Sequence, residues 1–302
     1  MIHEKRLLWR RIVVLLGALA LSGLAIWNAV ARPEGFLSDL LHLTHFEWER
    51  PRIFGAFHLS MLAFCLLLAA LIPIFLRRVS GERLDRVIFG AGILLFVLEL
   101  YKQLYHWCVI GNGSYNFGIL PFQFCSWALY VYLLLPLLPS GRIKEAFYDF
   151  CALYLTMGGC IVMGYPMLYR EIPLCLHTML WHSVMIAVGV LILSRRGYGR
   201  RYLREMLPST LIFLGTLGLA TVLNLILTPL TEGSAQPLNL FYMSPYEGNN
   251  YILISDVWER FGWLTALICY ALLFVFVGAT LMWVLGWMIE LIRRKNYVKT
   301  EK

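Results

Sequence analysis

Cysteine and histidine side chains interrupt the apolar stretches of this sequence, and together they can perform nucleophilic catalysis. Cys125 ends the run Leu-Pro-Phe-Gln-Phe-Cys at 120–125, and His177 and His182 lie in a later apolar stretch. A thiol becomes a strong nucleophile when an imidazole accepts its proton, and a thioester intermediate divides acyl transfer into two easier steps. The competing interpretation of Cys125 is a small, inert core residue, the more common role of a buried cysteine.

A second set of polar residues could support such chemistry. Glu99 and Lys102 are the only charges predicted well inside a span, and their spacing of three places them on one helix face, where they can neutralise each other. The pair has two equally good interpretations. It is either a structural ion pair, or a group that orients a histidine or binds a lipid headgroup. Gln123, Asn224 or Lys102 could hold a developing oxyanion, and Glu99 could fix the tautomer of an imidazole. The supporting candidates are His58, Glu99, Lys102, His106, Gln123, His177 and Asn224.

The two later histidines are five residues apart. That spacing separates His177 and His182 by roughly 140° around a helix, so the pattern predicts that only one of them faces a given site. His106 lies one turn beyond Lys102 and shares its side of the helix.

The amino-acid composition indicates that transmembrane helices carry these residues. Of 302 residues, 60% are hydrophobic and 15% are charged, against about 45–50% and 25% in soluble domains. This excludes an ordinary soluble enzyme and predicts an all-α polytopic membrane protein forming a single transmembrane domain. The eight predicted spans are 12–30, 53–76, 87–107, 120–139, 146–168, 172–193, 207–230 and 258–289.

Charge predicts the orientation of these spans. Twenty of the 26 Lys and Arg residues fall in the two terminal segments and in every second loop between the spans. This is the pattern expected when these segments, and therefore both termini, are cytoplasmic. The net charge of +8 is thereby accounted for without a nucleic-acid partner. We expect 12–30 to be a retained N-terminal anchor, and 36–48 to form an amphipathic helix on the outer surface.

The estimated depth of each candidate residue in the membrane predicts that these residues lie at a similar level. At about 1.5 Å per residue, all of them fall in the outer half of the membrane, while the inner halves contain almost only hydrocarbon. We therefore expect a polar cavity that opens toward the outer leaflet. The polar segment 239–256 could cover that cavity, or it could be an ordinary solvated turn region.

Other chemistries find little support in the sequence. The seven cysteines contain no CxxC pair, and no nucleophile elbow, phosphate-binding loop or HExxH motif is present. Asp39, His42 and His45 share a helix face, but exposed histidines at an interface need no metal. We expect neither a metal nor a cofactor.

The motif around Cys125 resembles the YwaF-like family of bacterial integral membrane proteins. The family's Leu-Pro-Leu-His-Leu-Cys corresponds to Leu120–Cys125, with departures at Phe122, Gln123 and Phe124. The remaining matches are Phe57-His58-Leu59-Ser60, His182 and Gly248-Asn249-Asn250-Tyr251. The resemblance runs from about residue 50 to the end, which makes the first span an addition.

This resemblance implies a function. A eukaryotic relative of the family is a lipid-remodelling acyltransferase with a Cys and a distant His, and more remote kin are lipid hydrolases with a Thr nucleophile. Cys125 is then the nucleophile and His182 the base, acting on a phospholipid or another acyl lipid in a bacterial plasma membrane. The alternative is a transporter or a non-catalytic lipid-binding protein, in which Glu99 and Lys102 belong to a translocation path.

Overall fold

The computed structural model describes residues 2–76, 79, 81–196, 202–234, 236–248 and 251–300, and helices dominate all the longer segments. Within these residues there is no strand, only one isolated bridge between Glu47 and Glu171, so the all-α prediction is confirmed. The α-helices are α1 (Ile2–Ala31), α2 (Phe36–Leu43), α3 (Ala56–Phe75), α4 (Glu82–Tyr105), α5 (Trp127–Leu134), α6 (Arg142–Phe150), α7 (Thr156–Gly164), α8 (Ile172–Arg196), α9 (Tyr202–Leu227), α10 (Ile252–Phe261) and α11 (Trp263–Thr300).

The long helices agree with a multi-pass integral membrane protein. Among the described residues, seven helical stretches have the length and composition to cross a membrane: Arg6–Ala31, Ala56–Phe75, Glu82–Ile110, Arg142–Gly164, Ile172–Arg195, Met206–Leu227 and Trp263–Leu281. The fourth predicted span is shorter, with an apolar helix at Phe124–Leu137. Its final turn, Leu135–Leu137, is a 3₁₀ turn around Pro136, a residue that cannot donate a helical hydrogen bond.

The last predicted span is divided. Gly262 adopts φ 82°, a backbone conformation that favours glycine, and it separates α10 from α11. The membrane helix therefore begins at Trp263, and the residues before it belong to a separate short helix.

Helix α8 lies at the centre of the packing, in contact with α3, α4 and α7. Two glycines allow neighbouring helices to approach closely. A methyl group on Gly189 of α8 would lie 1.6 Å from the Thr156 hydroxyl of α7, and one on Gly92 of α4 would lie 2.9 Å from the Leu133 side chain of α5. Any larger residue at either position would force these helices apart.

Two π-helical turns interrupt the regular helices in the part of the chain that the structure describes. Cys151–Leu155 joins α6 to α7, and His106–Ile110 ends α4. Such turns frequently occur at functional sites, because the widened helix redirects the side chains that follow. His106 therefore begins a distorted turn that extends beyond the regular part of α4.

The predicted amphipathic helix over 36–48 is shorter than expected. Helix α2 ends at Leu43, where the Thr44 hydroxyl donates to the Leu41 carbonyl at 2.7 Å. The following residues pair with another segment: Trp48 N–H donates to the Arg170 carbonyl, and Ile172 N–H donates to the Phe46 carbonyl, both at 3.0 Å. These longer-range hydrogen bonds compete successfully with continuation of the helix.

A second buried ion pair, which the sequence did not predict, lies just before the predicted spans 87–107 and 146–168. Asp85 of α4 and Lys144 of α6 are both buried, with Lys144 Nζ 2.6 Å from Asp85 Oδ2. The other carboxylate oxygen of Asp85 accepts the Tyr148 hydroxyl, and Lys144 also donates to the Leu138 carbonyl at 3.2 Å. Both charges are therefore satisfied, and they fasten α4 to α6.

Removing one member of this pair should strongly destabilise the protein. We expect Lys144→Met to lower the free energy of unfolding by about 3–5 kcal/mol, because it leaves a buried carboxylate without its countercharge. Thermal or denaturant unfolding of the purified protein in detergent measures the loss. The control is Arg86→Met, which removes an exposed 3.9 Å pair with Glu82 and should cost less than about 1 kcal/mol. Equal losses in the two variants would contradict this role.

Candidate functional site

His58 is fully used by the fold. It is 0% exposed, its Nδ1 accepts the Phe54 N–H at 2.9 Å, and its Nε2 donates to the Met163 carbonyl at 2.8 Å. Both ring nitrogens are thus occupied by the main chain, one within the entry to α3 and the other at the end of α7. This imidazole is a structural connection and has no nitrogen left for catalysis.

Gln123 and Asn224 are also occupied. Asn224 Nδ2 donates to the Leu240 carbonyl at 2.9 Å, and its Oδ1 accepts the Leu240 N–H at 2.8 Å. Gln123 Nε2 donates to the Asn239 carbonyl, and its Oε1 accepts the Phe241 N–H, both at 2.8 Å. The two amides hold a loop between them, which explains why polar residues occur there and commits one N–H group of each amide to the main chain.

The loop that they hold, residues 238–244, is neither a solvated turn nor an open cover, and we call it the inserted loop. Its Leu238, Leu240, Phe241, Met243 and Ser244 are all buried. Thr228 donates to the Leu238 carbonyl at 2.7 Å, and Thr231 accepts the Leu238 N–H at 2.9 Å. Two successive aromatic residues have positive φ, 57° at Phe241 and 54° at Tyr242, a strain that such hydrogen bonds can maintain.

His182 differs from His58 in having one nitrogen without a partner. Its Nδ1 lies 2.6 Å from the Thr178 carbonyl oxygen, and a carbonyl can only accept, so Nδ1 carries the hydrogen. In the neutral ring, Nε2 then carries a lone pair, and this buried atom has no hydrogen-bond partner. The tautomer is fixed by the Thr178 carbonyl and not by Glu99, the residue expected for this purpose.

Glu99 and Lys102 form the expected ion pair. Lys102 Nζ lies 2.9 Å from Glu99 Oε1, and the same oxygen accepts Gln103 Nε2 at 2.7 Å. The other carboxylate oxygen, Oε2, is buried and has no partner. The Tyr115 hydroxyl donates to Gln103 Oε1 at 2.8 Å, and burial together with the nearby Glu99 carboxylate raises the pKa of Tyr115 to about 12, which keeps its proton on this bond.

These residues lie on packed neighbouring segments: Glu99 and Lys102 on α4, His106 just after it, and His177 and His182 on α8. The Lys102 ammonium is within electrostatic range of His106, His177 and His182, and His177 is within range of both other histidines. The 140° separation of His177 and His182 therefore removes neither from the group, and both are 8% exposed. We call this group the polar cluster; its members are Glu99, Lys102, His106, His177 and His182.

The polar cluster contains four buried atoms with no hydrogen-bond partner: Glu99 Oε2, His106 Nδ1, His177 Nε2 and His182 Nε2. Buried polar atoms are nearly always paired. Single unpartnered atoms occur elsewhere, as at Trp107 Nε1 and Trp127 Nε1, but these four lie on neighbouring segments. Within the part of the chain that the structure describes, no three His, Cys, Asp or Glu side chains are arranged to hold a metal ion.

Cys125 lies close to the segment that carries His182. The Trp181 indole donates to the Cys125 carbonyl at 3.1 Å, which ties the cysteine backbone to the residue before His182. Neighbouring glycines of α7 separate the two segments: a methyl group on Gly158 would lie 3.8 Å from Cys125 Sγ, and one on Gly159 would lie 3.2 Å from the His182 carbonyl. No hydrogen bond joins Cys125 Sγ to His182 Nε2.

Three tyrosines beside the thiol were missed by the sequence analysis. Tyr242, Tyr251 and Tyr270 are all within electrostatic range of Cys125. The ring centroid of Tyr251 lies 5.7 Å from that of Tyr242 and 5.7 Å from that of Tyr270. Of the three tyrosines, only Tyr251 belongs to a motif recognised in the sequence, the Asn-rich motif that it ends. Asn249 and Asn250 of that motif lie outside the described residues.

Fold and site define a multi-pass α-helical membrane protein that contains a buried polar cluster and a half-buried cysteine. Comparisons with protein-family models, curated proteins and solved structures find no match. The resemblance to the YwaF-like family, the membrane of residence and the lipid partner therefore stay predictions.

The hydrogen bonds by which Asn224 holds the inserted loop can be tested by mutation. We expect Asn224→Leu to lower the free energy of unfolding by about 1–3 kcal/mol, because it leaves the buried N–H of Leu240 unpaired and removes one of the two hydrogen bonds to the Leu240 carbonyl. Unfolding in detergent measures the loss. Thr221→Val on the same helix removes only a hydroxyl bonded to the Leu217 carbonyl and should change stability by less than about 1 kcal/mol. A loss in Asn224→Leu no larger than this would refute this role of Asn224.

Proposed function

We propose that this membrane protein transfers or hydrolyses the acyl chain of a membrane lipid, with Cys125 as nucleophile and His182 as general base. The observation that carries the proposal is the state of His182: a buried imidazole whose Nδ1 hydrogen is held by the Thr178 carbonyl and whose Nε2 is free to accept a proton. A general base requires this arrangement, in which the second nitrogen is oriented by another group.

The proposed reaction has two halves. In the first, His182 Nε2 accepts the thiol proton, and Cys125 Sγ attacks the carbonyl carbon of a lipid ester. The C–O bond then breaks, the leaving alcohol takes the proton from His182, and a thioester remains on Cys125. In the second half, His182 removes a proton from an acceptor hydroxyl or water, whose oxygen attacks the thioester and releases the thiolate, and the thiolate regains the proton.

The arrangement of the two segments supports this assignment but requires movement. Trp181 fixes the Cys125 backbone beside α8, and Gly158 and Gly159 allow α7 to pack closely against both segments. Because no hydrogen bond yet joins Sγ to Nε2, substrate binding must bring them together. Catalytic hydrogen bonds are often long in unliganded enzymes and tighten only in the complex with substrate.

The competing function is a transporter or a non-catalytic lipid-binding protein. The unpartnered Glu99 Oε2 favours it, since an unsatisfied buried carboxylate oxygen is suited to binding. The two functions differ in what they require: a binding or transport protein depends on Glu99 and tolerates Cys125→Ala, whereas an acyl enzyme loses all turnover in that variant.

Trapping the thioester tests the enzymatic function. The purified protein is reconstituted with a phospholipid whose acyl chain carries an alkyne, and the label on the protein is measured before and after hydroxylamine, which cleaves thioesters. We expect a hydroxylamine-sensitive label in the wild type, none in Cys125→Ala, and labelling slowed at least about 100-fold in His182→Ala through loss of the base.

The matched control for this experiment is Cys160→Ala. Cys160 is the exposed cysteine of α7, so its removal should leave the specific label intact and exclude nonspecific acylation. A label that persists in Cys125→Ala, or no label in the wild type, would overturn the proposal.

A further inference from the structure

The polar cluster contains buried acceptor atoms that none of its own donors reaches. Glu99 Oε2 can only accept in the ionised carboxylate, and His182 Nε2 can only accept in the neutral ring, because its hydrogen is on Nδ1. Glu99, His177 and His182 are each more than nine-tenths buried. A ligand that fits must therefore bring hydrogen-bond donors to these atoms.

The charges of the cluster restrict the ligand further. The Glu99 and Lys102 charges lie 2.9 Å apart and cancel each other. An anion such as a phosphate would be attracted by Lys102 but repelled by the free Glu99 oxygen. A cationic group would be attracted by Glu99 and repelled by Lys102, and a quaternary ammonium has no hydrogen to donate. Neither kind of ion gains from both residues.

Hydroxyl groups match both requirements. An alcohol donates one hydrogen bond and accepts others, so it can donate to Glu99 Oε2 or His182 Nε2 and accept from the Lys102 ammonium. His106 Nδ1 and His177 Nε2 can each serve as donor or acceptor for further hydroxyls. A group with several hydroxyls could satisfy these atoms at once, without bringing an uncompensated charge into the membrane.

We propose that the polar cluster binds an uncharged polyhydroxyl group, the chemistry of a glycerol or sugar moiety, carried by a lipid or free in solution. Binding itself does not require the cysteine. If the bound hydroxyl also serves as the acyl acceptor, that role rests on the proposed function, since His182 Nε2 would be the base that takes its proton.

Ligand selectivity tests this site. The Cys125→Ala protein, which cannot form a thioester, is purified in a detergent without a sugar headgroup and titrated with lipids by native mass spectrometry. The probes are a monoacylglycerol with two free hydroxyls, a diacyl phosphatidylcholine with none, and a diacyl phosphatidic acid as the anion. We expect the monoacylglycerol to bind at least about tenfold more tightly than either phospholipid.

A soluble competitor distinguishes the two sources of the ligand. Displacement of the monoacylglycerol by millimolar glycerol, with a much weaker effect of 1-propanol at the same concentration, would show that a group with several hydroxyls is recognised without an acyl chain. Retention of the monoacylglycerol in the presence of glycerol, together with the expected lipid ranking, would assign the site to the lipid form of the same chemistry.

A substitution in the cluster completes the test. Glu99→Gln replaces one carboxylate oxygen by an amide donor and should weaken monoacylglycerol binding at least about tenfold. The control, Glu232→Gln, changes an exposed carboxylate and should leave binding unchanged. If Glu99→Gln fails to fold, as judged by gel filtration, the lipid ranking in the Cys125→Ala protein decides alone.

Two results overturn the inference: phosphatidic acid or phosphatidylcholine binding as tightly as the monoacylglycerol, or a folded Glu99→Gln protein that binds it normally. Neither result affects the thioester experiment. Conversely, the absence of a thioester in the wild type would leave this ligand ranking unchanged, so the two proposals fail separately.

Discussion

The need to satisfy every polar group within the protein governs this structure, because a bilayer core offers no water to pair with them. Most buried polar side chains meet that need completely. Asp85 and Lys144 satisfy each other with help from Tyr148 and a carbonyl, and Asn224 pairs with both main-chain groups of Leu240. Against this background, four unpaired atoms in one cluster require a different explanation from the polar residues around them.

The comparison of His58 with His182 shows why residue type alone could not separate structure from function. Each imidazole bonds a main-chain carbonyl, His58 through Nε2 and His182 through Nδ1. The remaining nitrogen of His58 accepts the Phe54 N–H, whereas that of His182 has no partner. The distinction depends on one backbone N–H at residue 54, whose position follows from the conformation of the turn before α3.

The same reasoning explains what could be predicted from the sequence. Hydrophobic length identifies membrane helices because each span must be apolar along its own sequence, so the all-α membrane fold was predictable. Partners are set by contacts between distant segments. Gln123 stands beside Cys125 in the sequence, yet its amide bonds Asn239 and Phe241, and Lys144 belongs to a predicted cytoplasmic segment, yet it is buried against Asp85. Neither pairing can be recognised from the amino-acid sequence on either side of the residue.

The inserted loop connects the structural polar groups to the candidate site. Gln123 holds it from one side and stands two residues before Cys125, while Tyr242 at its far end lies within electrostatic range of the Cys125 thiol. The positive φ angles of Phe241 and Tyr242 are costly for aromatic residues, and the two amides that hold this loop supply hydrogen bonds that offset this cost. The polar residues without a direct chemical role therefore hold the inserted loop in place near Cys125, whereas the polar cluster keeps buried atoms that no residue of the protein satisfies.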